Sequence, residues 1–329
     1  MIFEPFTYHY ECTPGFSKYF IDLGYNVDII MHNAGLSSFV YFKDISKIRF
    51  FIYNDVTDIK KFNKYLSFSI NKYDYVLIET ANNYSFSLYK SLNILNINHL
   101  IYVFHHLDFL ENLPPYMTLS KKQVWSLGNF ENWTQVNPHS FGNIGIRKKN
   151  RITRFFITST LNRNYEYLIS AAEMIKAENL EFQVIVVGKF KTFTPKNISE
   201  KIKENFTFKY NIPYSELYNE VNNSDFIIIN LDANNKKDNA FKTNRVTGSS
   251  QLAYGFLKPA IINEKFAPIY YFNKENSFIY ENSNFTDTLK NAINMKNEQY
   301  QKMKENLSKT VDYIYKISLR NVNICINHL

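Results

Sequence analysis

Two cations and a run of small hydroxylated residues stand side by side in the second half of the chain. Lys242 and Arg245 precede residues 247–250, which read Thr-Gly-Ser-Ser. Thr and Ser hydroxyls cap the free backbone N–H groups at a helix start, and Gly relaxes the chain there, so this turn predicts the beginning of a helix. A helix N-terminus flanked by cations favours an anion such as a diphosphate. The alternative is a capped surface helix with solvated cations.

Histidines and carboxylates form a second set of candidates in the first half of the chain. An apolar run ends directly before His105 and His106, another ends before Glu79, and His9 and Glu11 stand in the first loop. Imidazole hydrogen-bonds a hydroxyl or a phosphate oxygen in either protonation state, which suits a ligand contact. A structural histidine is the alternative at 105, and a local cap or hydrogen bond is the alternative for His9 and Glu11.

The elements that position these residues alternate along the first half of the chain. Residues 1–31 predict a strand, a loop, a helix at 16–23 and a strand at 27–30, and residues 13–15 (Thr-Pro-Gly) predict a break before that helix. Further strand-like runs at 48–53, 75–78 and 100–104 are separated by helical patterns at 58–68 and 84–95. This alternation predicts a parallel sheet with crossover helices. Ligands of such sheets bind beyond the carboxyl ends of the strands.

The second half predicts another unit of the same kind. Residues 107–150 lack periodicity and contain Pro and Gly, which predicts a linker, with the second domain beginning near Thr153. The predicted strands are 154–158, 182–187, 207–209, 225–231, 260–262 and 277–280. The predicted helices are 165–177, one that follows the residues 212–218 and ends at 223, 251–257, 285–293, 298–311 and 311–319. Pro259 stops the helix at 251–257 ahead of the next strand. We therefore predict domains at 1–145 and 146–310 and a final helix at 311–329.

The order of these elements, with three short motifs, resembles the GT-B glycosyltransferases. The motifs are residues 15–27, the strand ending at His105, and residues 242–262 with their Lys-Pro-Ala-Ile-Ile ending. The resemblance implies an α/β fold of two Rossmann-like domains facing a cleft, with the acceptor on the N-terminal side and a nucleotide sugar on the C-terminal side. It also implies that the last helix crosses back to the N-terminal domain.

The resemblance assigns residues to the two ligands. The turn after the strand at 154–158 is similar to one whose basic residue reaches the donor phosphates, and the loop after the strand at 207–209 is similar to one that cradles the nucleobase. Asp232 either serves this site or belongs to a solvated loop. The predicted donor-binding residues are Asn162, Arg163, Tyr210, Ile212, Lys242, Arg245, Thr247, Gly248, Ser249 and Ser250. The predicted catalytic residues are His105, which would contact the transferred sugar, with His106 as its reserve, and Glu11.

The closest pattern is that of the retaining family-4 enzymes, Glu-x7-Glu followed by Ala-x-Ala-x-Gly-x-Pro-Val-Ile. Aligned on Pro259, the two glutamates fall on Asn244 and Leu252, and the glycine falls on Leu257. The acid pair is missing. Retention of anomeric configuration follows only from the family-4 likeness.

An inverting enzyme needs a general base, for which Glu11, Glu79 and His9 are the candidates.

Composition bounds the class of protein and its partners. The chain has 329 residues, 45% hydrophobic and 21% charged, which suits two globular domains. The two cysteines predict unpaired thiols in a cytoplasmic protein. Their spacing does not match a metal site, and no secretory signal is evident. The net charge of +8 indicates an anionic membrane face or a phosphorylated ligand, or reflects an AT-rich genome. The cations form no basic run, which disfavours nucleic acid.

These observations predict a glycosyltransferase that moves a sugar from a nucleotide-diphosphate donor to a saccharide or lipid-linked saccharide acceptor. The predicted setting is bacterial surface polysaccharide synthesis, capsule or lipopolysaccharide, at the inner face of the cytoplasmic membrane. Arg163, Lys242, Arg245 and the amides of residues 248–250 would stabilise the departing diphosphate without a metal ion or other cofactor. The alternatives are a sugar-nucleotide epimerase or hydrolase of GT-B type and a non-catalytic nucleotide- or carbohydrate-binding module.

Overall fold

The structure is a computed structural model in which the chain divides into two compact units. Unit 1 comprises Met1–Asn143, Thr243–Val246 and Ile314–Leu329, and unit 2 comprises Ile144–Lys242 and Thr247–Tyr313. The predicted boundaries and the ligand assigned to each domain stay predictions. The structure describes all residues except 5, 7, 8, 56–71, 92–98, 131, 143, 146, 160–164, 190–197 and 328–329, and it leaves the side chains of 83, 84, 87, 91 and 159 undescribed. The predicted helix at 58–68 and two donor candidates, Asn162 and Arg163, lie outside the described residues.

Unit 1 is built on a parallel sheet. Its strands are β1 (Ile2–Glu4), β2 (Val27–His32), β3 (Ile48–Tyr53), β4 (Val76–Ile78), β5 (Leu100–Phe104), β6 (Val124–Ser126) and β7 (Thr134–Gln135). They are arranged in the order β3-β2-β1-β4-β5-β6-β7, and every neighbouring pair runs parallel. The order changes direction between β1 and β4. In sheets of this kind, ligands bind beyond the carboxyl ends of the strands at that switch point.

The first helix, α1 (Thr13–Asp22), begins earlier than predicted. The prediction that residues 13–15 break the chain is wrong, because Pro14 occupies the first turn, where its missing N–H is not needed. At Gly15, α1 packs closely against the backbone of Pro138. A Cβ atom at Gly15 would lie 2.3 Å from the carbonyl oxygen of Pro138. The second helix, α2 (Asn83–Ser91), lies between β4 and β5.

The prediction of a linker at 107–150 is wrong over most of its length. β6 and β7 lie within it and extend the sheet beyond β5. Trp125 of β6 is fully buried and packs against the rings of Phe16 and Phe20 from α1. The two strands have three residues and two residues, which is too short for hydrophobic periodicity to reveal them.

Unit 2 contains a second parallel sheet. Its strands are β8 (Thr153–Ser159), β9 (Phe182–Gly188), β10 (Phe206–Tyr210), β11 (Phe226–Ile229), β12 (Ala260–Asn263) and β13 (Phe278–Tyr280). The order β10-β9-β8-β11-β12-β13 repeats the pattern of unit 1, so the switch point lies between β8 and β11. Apolar side chains of β8, β9 and β11 form one core cluster with those of the helices α3 (Glu166–Ala177) and α6 (Phe285–Asn294).

The remaining helices of unit 2 differ from the predictions at their ends. They are α4 (Tyr214–Asn223), α5 (Gly248–Gly255) and α7 (Asn297–Ile326). α5 begins before the predicted residue 251 because its cap is Thr247. The prediction of two helices at 298–311 and 311–319 is wrong, because α7 is one continuous helix that contains neither Gly nor Pro. Within the described chain, no helix has both the length and the apolar character needed to cross a membrane.

The last part of α7 belongs to unit 1, and it is the segment for which a return to the N-terminal domain was predicted. Ser318 accepts a hydrogen bond from the backbone N–H of Asn137 at 3.0 Å. Asn321 donates to the carbonyl of Gln135 at 2.9 Å, and Tyr75 donates to the carbonyl of Ile326 at 2.7 Å. These contacts tie the last part of α7 to β7 and to the residue that precedes β4.

Candidate functional site

Polar side chains gather at the switch point of unit 1. Glu4 ends β1, Glu79 follows β4, and His105 follows β5. The two glutamates are 0% exposed and His105 is 8% exposed. Because parallel strands end at the same edge of the sheet, these residues lie where α/β sheets bind their ligands.

Glu79 connects the histidine to the first helix. Both of its carboxylate oxygens lie 2.8 Å from the hydroxyl of Thr13, which donates to the carboxylate. Its backbone carbonyl lies 3.1 Å from Nε2 of His105. A carbonyl only accepts, so Nε2 of His105 carries the hydrogen and Nδ1 of the neutral ring is a hydrogen-bond acceptor.

Glu4 is held on the other side of the switch point. Its carboxylate accepts from the backbone N–H of Phe6 at 2.8 Å and from the hydroxyl of Thr80. Burial raises the pKa of Glu4 to about 8 and raises the pKa of Glu79 well above its usual range. Neighbouring carboxyl groups add to the effect of burial, because like charges disfavour ionisation: Glu4 raises the pKa of Glu79, and Glu11 raises the pKa of Glu4. Protonated carboxyls are therefore favoured here near neutral pH.

Two histidine rings stack at the rim of this cluster. The ring centroids of His9 and His105 are 3.8 Å apart, with an angle of 21° between the planes. Nδ1 of His9 lies 3.6 Å from a carboxylate oxygen of Glu11, and these two side chains are 32% and 18% exposed. Burial, and to a smaller extent the neighbouring His9, lowers the pKa of His105 well below its usual value. His105 is therefore neutral at physiological pH.

Arg245 and His106 meet at another place in unit 1. Residues 106 and 245 form an antiparallel backbone bridge, and the guanidinium of Arg245 donates to Asp108 at 2.9 Å. Burial and the charge of Arg245 lower the pKa of His106 to about 4. Arg245, a predicted diphosphate contact, thus lies beside the carboxylate of Asp108, and its role in binding the nucleotide sugar stays a prediction.

In unit 2, the predicted helix cap is confirmed. Thr247 is the N-cap of α5, and its hydroxyl accepts from the backbone N–H of Ser249 at 3.4 Å. The hydroxyl of Ser250 donates to the carbonyl of Thr247 at 2.7 Å. The hydroxyls of Ser249 and Thr158 are 2.6 Å apart. Since Thr158 lies at the carboxyl end of β8, these contacts fix the beginning of α5 beside the switch point of this sheet.

The other donor candidates of unit 2 lie on neighbouring segments. Lys242 donates to Asn239 at 2.8 Å, and its ammonium lies 5.1 Å from the ring centroid of Phe266. Gly248 is the exposed first residue of α5.

Tyr210, Ile212 and Asp232 also follow strand ends. Tyr210 ends β10 opposite Gly188 of β9, and Ile212 comes two residues later. Asp232 accepts from the backbone N–H of Asn234 at 2.9 Å, a turn contact that matches the loop alternative.

Sequence reasoning missed Glu4 and Thr13, and it noted Thr80 only as a polar residue after a strand. Glu4 follows two apolar residues and precedes a proline, a short signal of an acid at a strand end. The threonines matter only through their partners, so their roles required the tertiary structure. Among the described residues, no group of three or more His, Cys, Asp and Glu side chains is placed to hold a metal ion. The absence of a metal requirement stays a prediction.

Comparison with known proteins identifies the fold. No family model matches the chain, and no curated protein matches it in sequence. The structure of HepE from Anabaena with UDP and glucose is similar over 100% of this chain and 99% of its own, with a TM-score of 0.55 and 11% identity. A mutant of S. aureus TarM, solved with fondaparinux, alpha-GlcNAc-glycerol and UDP, is similar over 80% of this chain, with a TM-score of 0.53 and 14% identity. The similarity covers 58% of that TarM chain.

These neighbours are GT-B glycosyltransferases, and both are built from parallel-sheet α/β domains like those described above. The predicted fold class, α/β with two Rossmann-like GT-B domains, is confirmed.

Proposed function

We propose that this chain is a glycosyltransferase that moves a sugar from a nucleoside-diphosphate donor to a saccharide or lipid-linked saccharide acceptor. The observation that carries the proposal is the capped N-terminus of α5, fixed at the carboxyl end of β8 through Thr158 and Ser249. It occurs in a fold shared over the full chain with HepE, which was solved with UDP-glucose in a further structure. The N-terminal amides of a helix and its dipole favour a diphosphate.

In this proposal, unit 2 binds the donor. The amides at Gly248–Ser250 and the ammonium of Lys242 would contact the phosphates, and Tyr210 and Ile212 would contact the base. Asn162 and Arg163 are further donor-binding candidates, and so is Arg245, which belongs to unit 1. No metal ion is required, because these cations and amides stabilise the negative charge as the diphosphate leaves.

Unit 1 supplies the contact with the transferred sugar. The neutral His105 has its Nε2–H bound to the carbonyl of Glu79, and its Nδ1 accepts a hydrogen bond from a sugar hydroxyl. Thr13 and Glu79 hold that ring in place through the contacts described above.

The proposal extends to the place of the reaction in the cell, for which the net charge is the supporting observation. We place the reaction in the synthesis of a bacterial surface polysaccharide, capsule or lipopolysaccharide, in the cytoplasm at the inner face of the membrane. The net charge of +8 suits peripheral contact with an anionic lipid surface and with phosphorylated ligands.

Calorimetry with a panel of nucleoside diphosphates tests donor binding, beginning with UDP. We expect saturable binding of at least one member, and no binding of any at millimolar concentration would overturn the proposal. Incubation with labelled UDP-sugars, with and without saccharide acceptors, then separates the functions. A transferase forms a new glycoside only when the acceptor is present, whereas a hydrolase releases free sugar and an epimerase converts the donor. A binding module leaves the donor unchanged.

A further inference from the structure

The retaining pattern has lost both of its acids at the positions where they are expected. Asn244 stands at the first position, and its backbone carbonyl accepts from the N–H of Leu107 at 3.0 Å. Leu252 stands at the second position and is buried in α5. Neither position provides a carboxylate, so the feature that connected this chain with retention is absent.

His9 has an unusual backbone conformation. Its φ angle is 68°, in the left-handed region that non-glycine residues seldom occupy. Such a conformation costs free energy and persists only where surrounding contacts impose it, which occurs preferentially at functional sites. Here the surrounding contacts are the stacked ring of His105 and the carboxylate of Glu11.

The two stacked histidines differ in what they are able to do with a proton. Burial keeps His105 neutral, and the carbonyl of Glu79 fixes its Nε2–H. His9 is the more exposed of the two, and the carboxylate of Glu11 lies on its Nδ1 side, which leaves Nε2 as the atom that faces away from Glu11. The buried carboxyls of Glu4 and Glu79 are inaccessible to a substrate hydroxyl. A proton acceptor for a substrate must be accessible, so His9 is the suitable group.

We infer that His9, supported by Glu11, is the general base of an inverting glycosyl transfer; this inference rests on the function proposed above. Nε2 of His9 takes the proton from the acceptor hydroxyl while that oxygen bonds to the anomeric carbon. The bond from this carbon to the diphosphate oxygen breaks, and its electron pair leaves with the nucleoside diphosphate. Because attack and departure occur on opposite faces, the configuration at the anomeric carbon inverts. The proton on His9 then passes to water.

The probe reaction is methanolysis of UDP-glucose, whose glucose is α-linked. Methyl glucosides do not interconvert in solution, so proton NMR reports the stereochemical outcome directly. We expect methyl β-glucoside. The variant His9→Asn removes the imidazole but tolerates the left-handed backbone, because Asn adopts it more readily than most residues. It should lower the rate about 100-fold or more, the scale of general base catalysis. Glu11→Gln should lower the rate less.

His99→Gln is the matched control, because His99 precedes the amino end of β5, where it packs edge-to-face on Tyr75. It should transfer at the wild-type rate. Calorimetry with UDP-glucose on the same preparations measures donor binding independently of catalysis. We expect unchanged affinity in His9→Asn and Glu11→Gln.

The outcomes separate the two proposals. Methyl α-glucoside as the product, a wild-type rate in His9→Asn, or binding of UDP-glucose without transfer to methanol or water would each overturn the role of His9. Failure to bind any UDP-sugar or nucleoside diphosphate would instead overturn the proposed function itself.

Discussion

Both units bury titratable side chains at the strand ends of their parallel sheet, but they do so at opposite ends of the strands. Unit 1 buries Glu4 and Glu79 at the carboxyl ends of β1 and β4. Unit 2 buries Lys258 and Lys304 near Asp225, which directly precedes the amino end of β11. The sheet of unit 2 has the same order as the first six strands of the unit 1 sheet, so the two units differ in which strand ends carry the buried titratable groups.

The lysines of unit 2 are bound to the ends of helices. Lys258, which is 2% exposed, donates to the carbonyl of Asn222 in the last turn of α4 at 2.8 Å. Lys149 donates to the carbonyl of Ile293 in the last turn of α6 at 3.0 Å. Helix C-termini attract cations, so these contacts stabilise the packing of the helices. Burial lowers the pKa of Lys258 to about 7.

The difference shows how to tell a titratable group that stabilises the fold from one that positions the candidate site. At the amino ends, each lysine satisfies a carbonyl that would otherwise lack a donor. At the carboxyl ends, the carboxyl of Glu79 positions Thr13 and its carbonyl orients His105, whose ring reaches the rim through the stack with His9. Ligands bind at this second edge. We therefore expect substitutions at the lysines to change stability alone, and substitutions at the rim histidines to change turnover.

Glu4→Gln should have the largest effect on stability. A folded-state pKa of about 8 means that the folded chain holds a proton that the unfolded chain has released above about pH 4.5. The free energy of unfolding therefore falls as pH rises from about 4.5 to 8, by on the order of 4 kcal/mol from Glu4. Glutamine has no proton to lose, so the variant should keep more of its stability at pH 8. Glu79 contributes in the same direction, so part of the fall should remain.

Urea unfolding at several pH values, followed by tryptophan fluorescence, measures this effect. Both tryptophans, Trp125 and Trp133, belong to unit 1. Equal pH dependence in Glu4→Gln and the wild type would show that this carboxyl ionises in the folded state as it does in water.

Lys258→Met should show the opposite slope, with an effect of similar size. With a folded-state pKa of about 7 against 10.5, the unfolded chain binds the additional proton between these values, so stability rises with pH across that window. The contribution of Lys258 is on the order of 4 kcal/mol, because its pKa shift is as large as that of Glu4. Methionine removes this part of the rise. Urea unfolding followed by far-ultraviolet circular dichroism, from pH 7 to 10, checks it. Lys258→Arg, which stays charged, is the control and should be destabilised throughout; identical slopes in Met and wild type would contradict the assignment.

The sequence predicts long elements better than short ones, and local positions better than contacts between distant residues. β3 and β5 were predicted at their observed bounds because each is an apolar run of five residues or more. Two-residue β7 carries no periodic signal.

The candidate site divides in the same way. Glu79 and His105 were singled out because strand ends of a parallel sheet share one edge, and His9 because it precedes the loop that resembles the first GT-B turn. The structure brings all three together. The position of Arg245 depends on a backbone bridge to His106, a contact between residues 139 positions apart, which no local pattern predicts.

His105→Ala sharpens the comparison within a single strand. His105 follows the carboxyl end of β5, and His99 precedes its amino end. Loss of a contact with the transferred sugar should lower turnover about tenfold or more while UDP affinity stays within about twofold, because the nucleotide is bound by unit 2. His99→Ala should leave both unchanged. Turnover, UDP affinity and melting temperature are measured on one preparation of each variant. Full activity in a stable His105→Ala variant would move the sugar contact to His106.

The smallest expected effect concerns backbone strain, which also occurs at both edges. His9 has a φ of 68° at the carboxyl edge of unit 1, and Leu257 has a φ of 48° just before Lys258 and the amino end of β12. Leu257 stands where the family-4 pattern has glycine, a residue that adopts this conformation without cost. Strain at the amino edge serves no ligand, so relieving it should raise stability without changing turnover.

Leu257→Gly measured against Leu257→Ala isolates this backbone term, because both variants lose the same half-buried side chain down to the Cβ atom. Glycine should be more stable than alanine here by about 1 kcal/mol, the reverse of the order at ordinary helical or extended positions, where alanine is favoured. Urea unfolding followed by circular dichroism gives the difference, and the methanolysis rate gives the functional readout. Greater stability in the alanine variant would show that residue 257 leaves the left-handed region in solution. A change in turnover in either variant would show that strain at the amino edge also acts on catalysis, and the separation between the two edges would then fail.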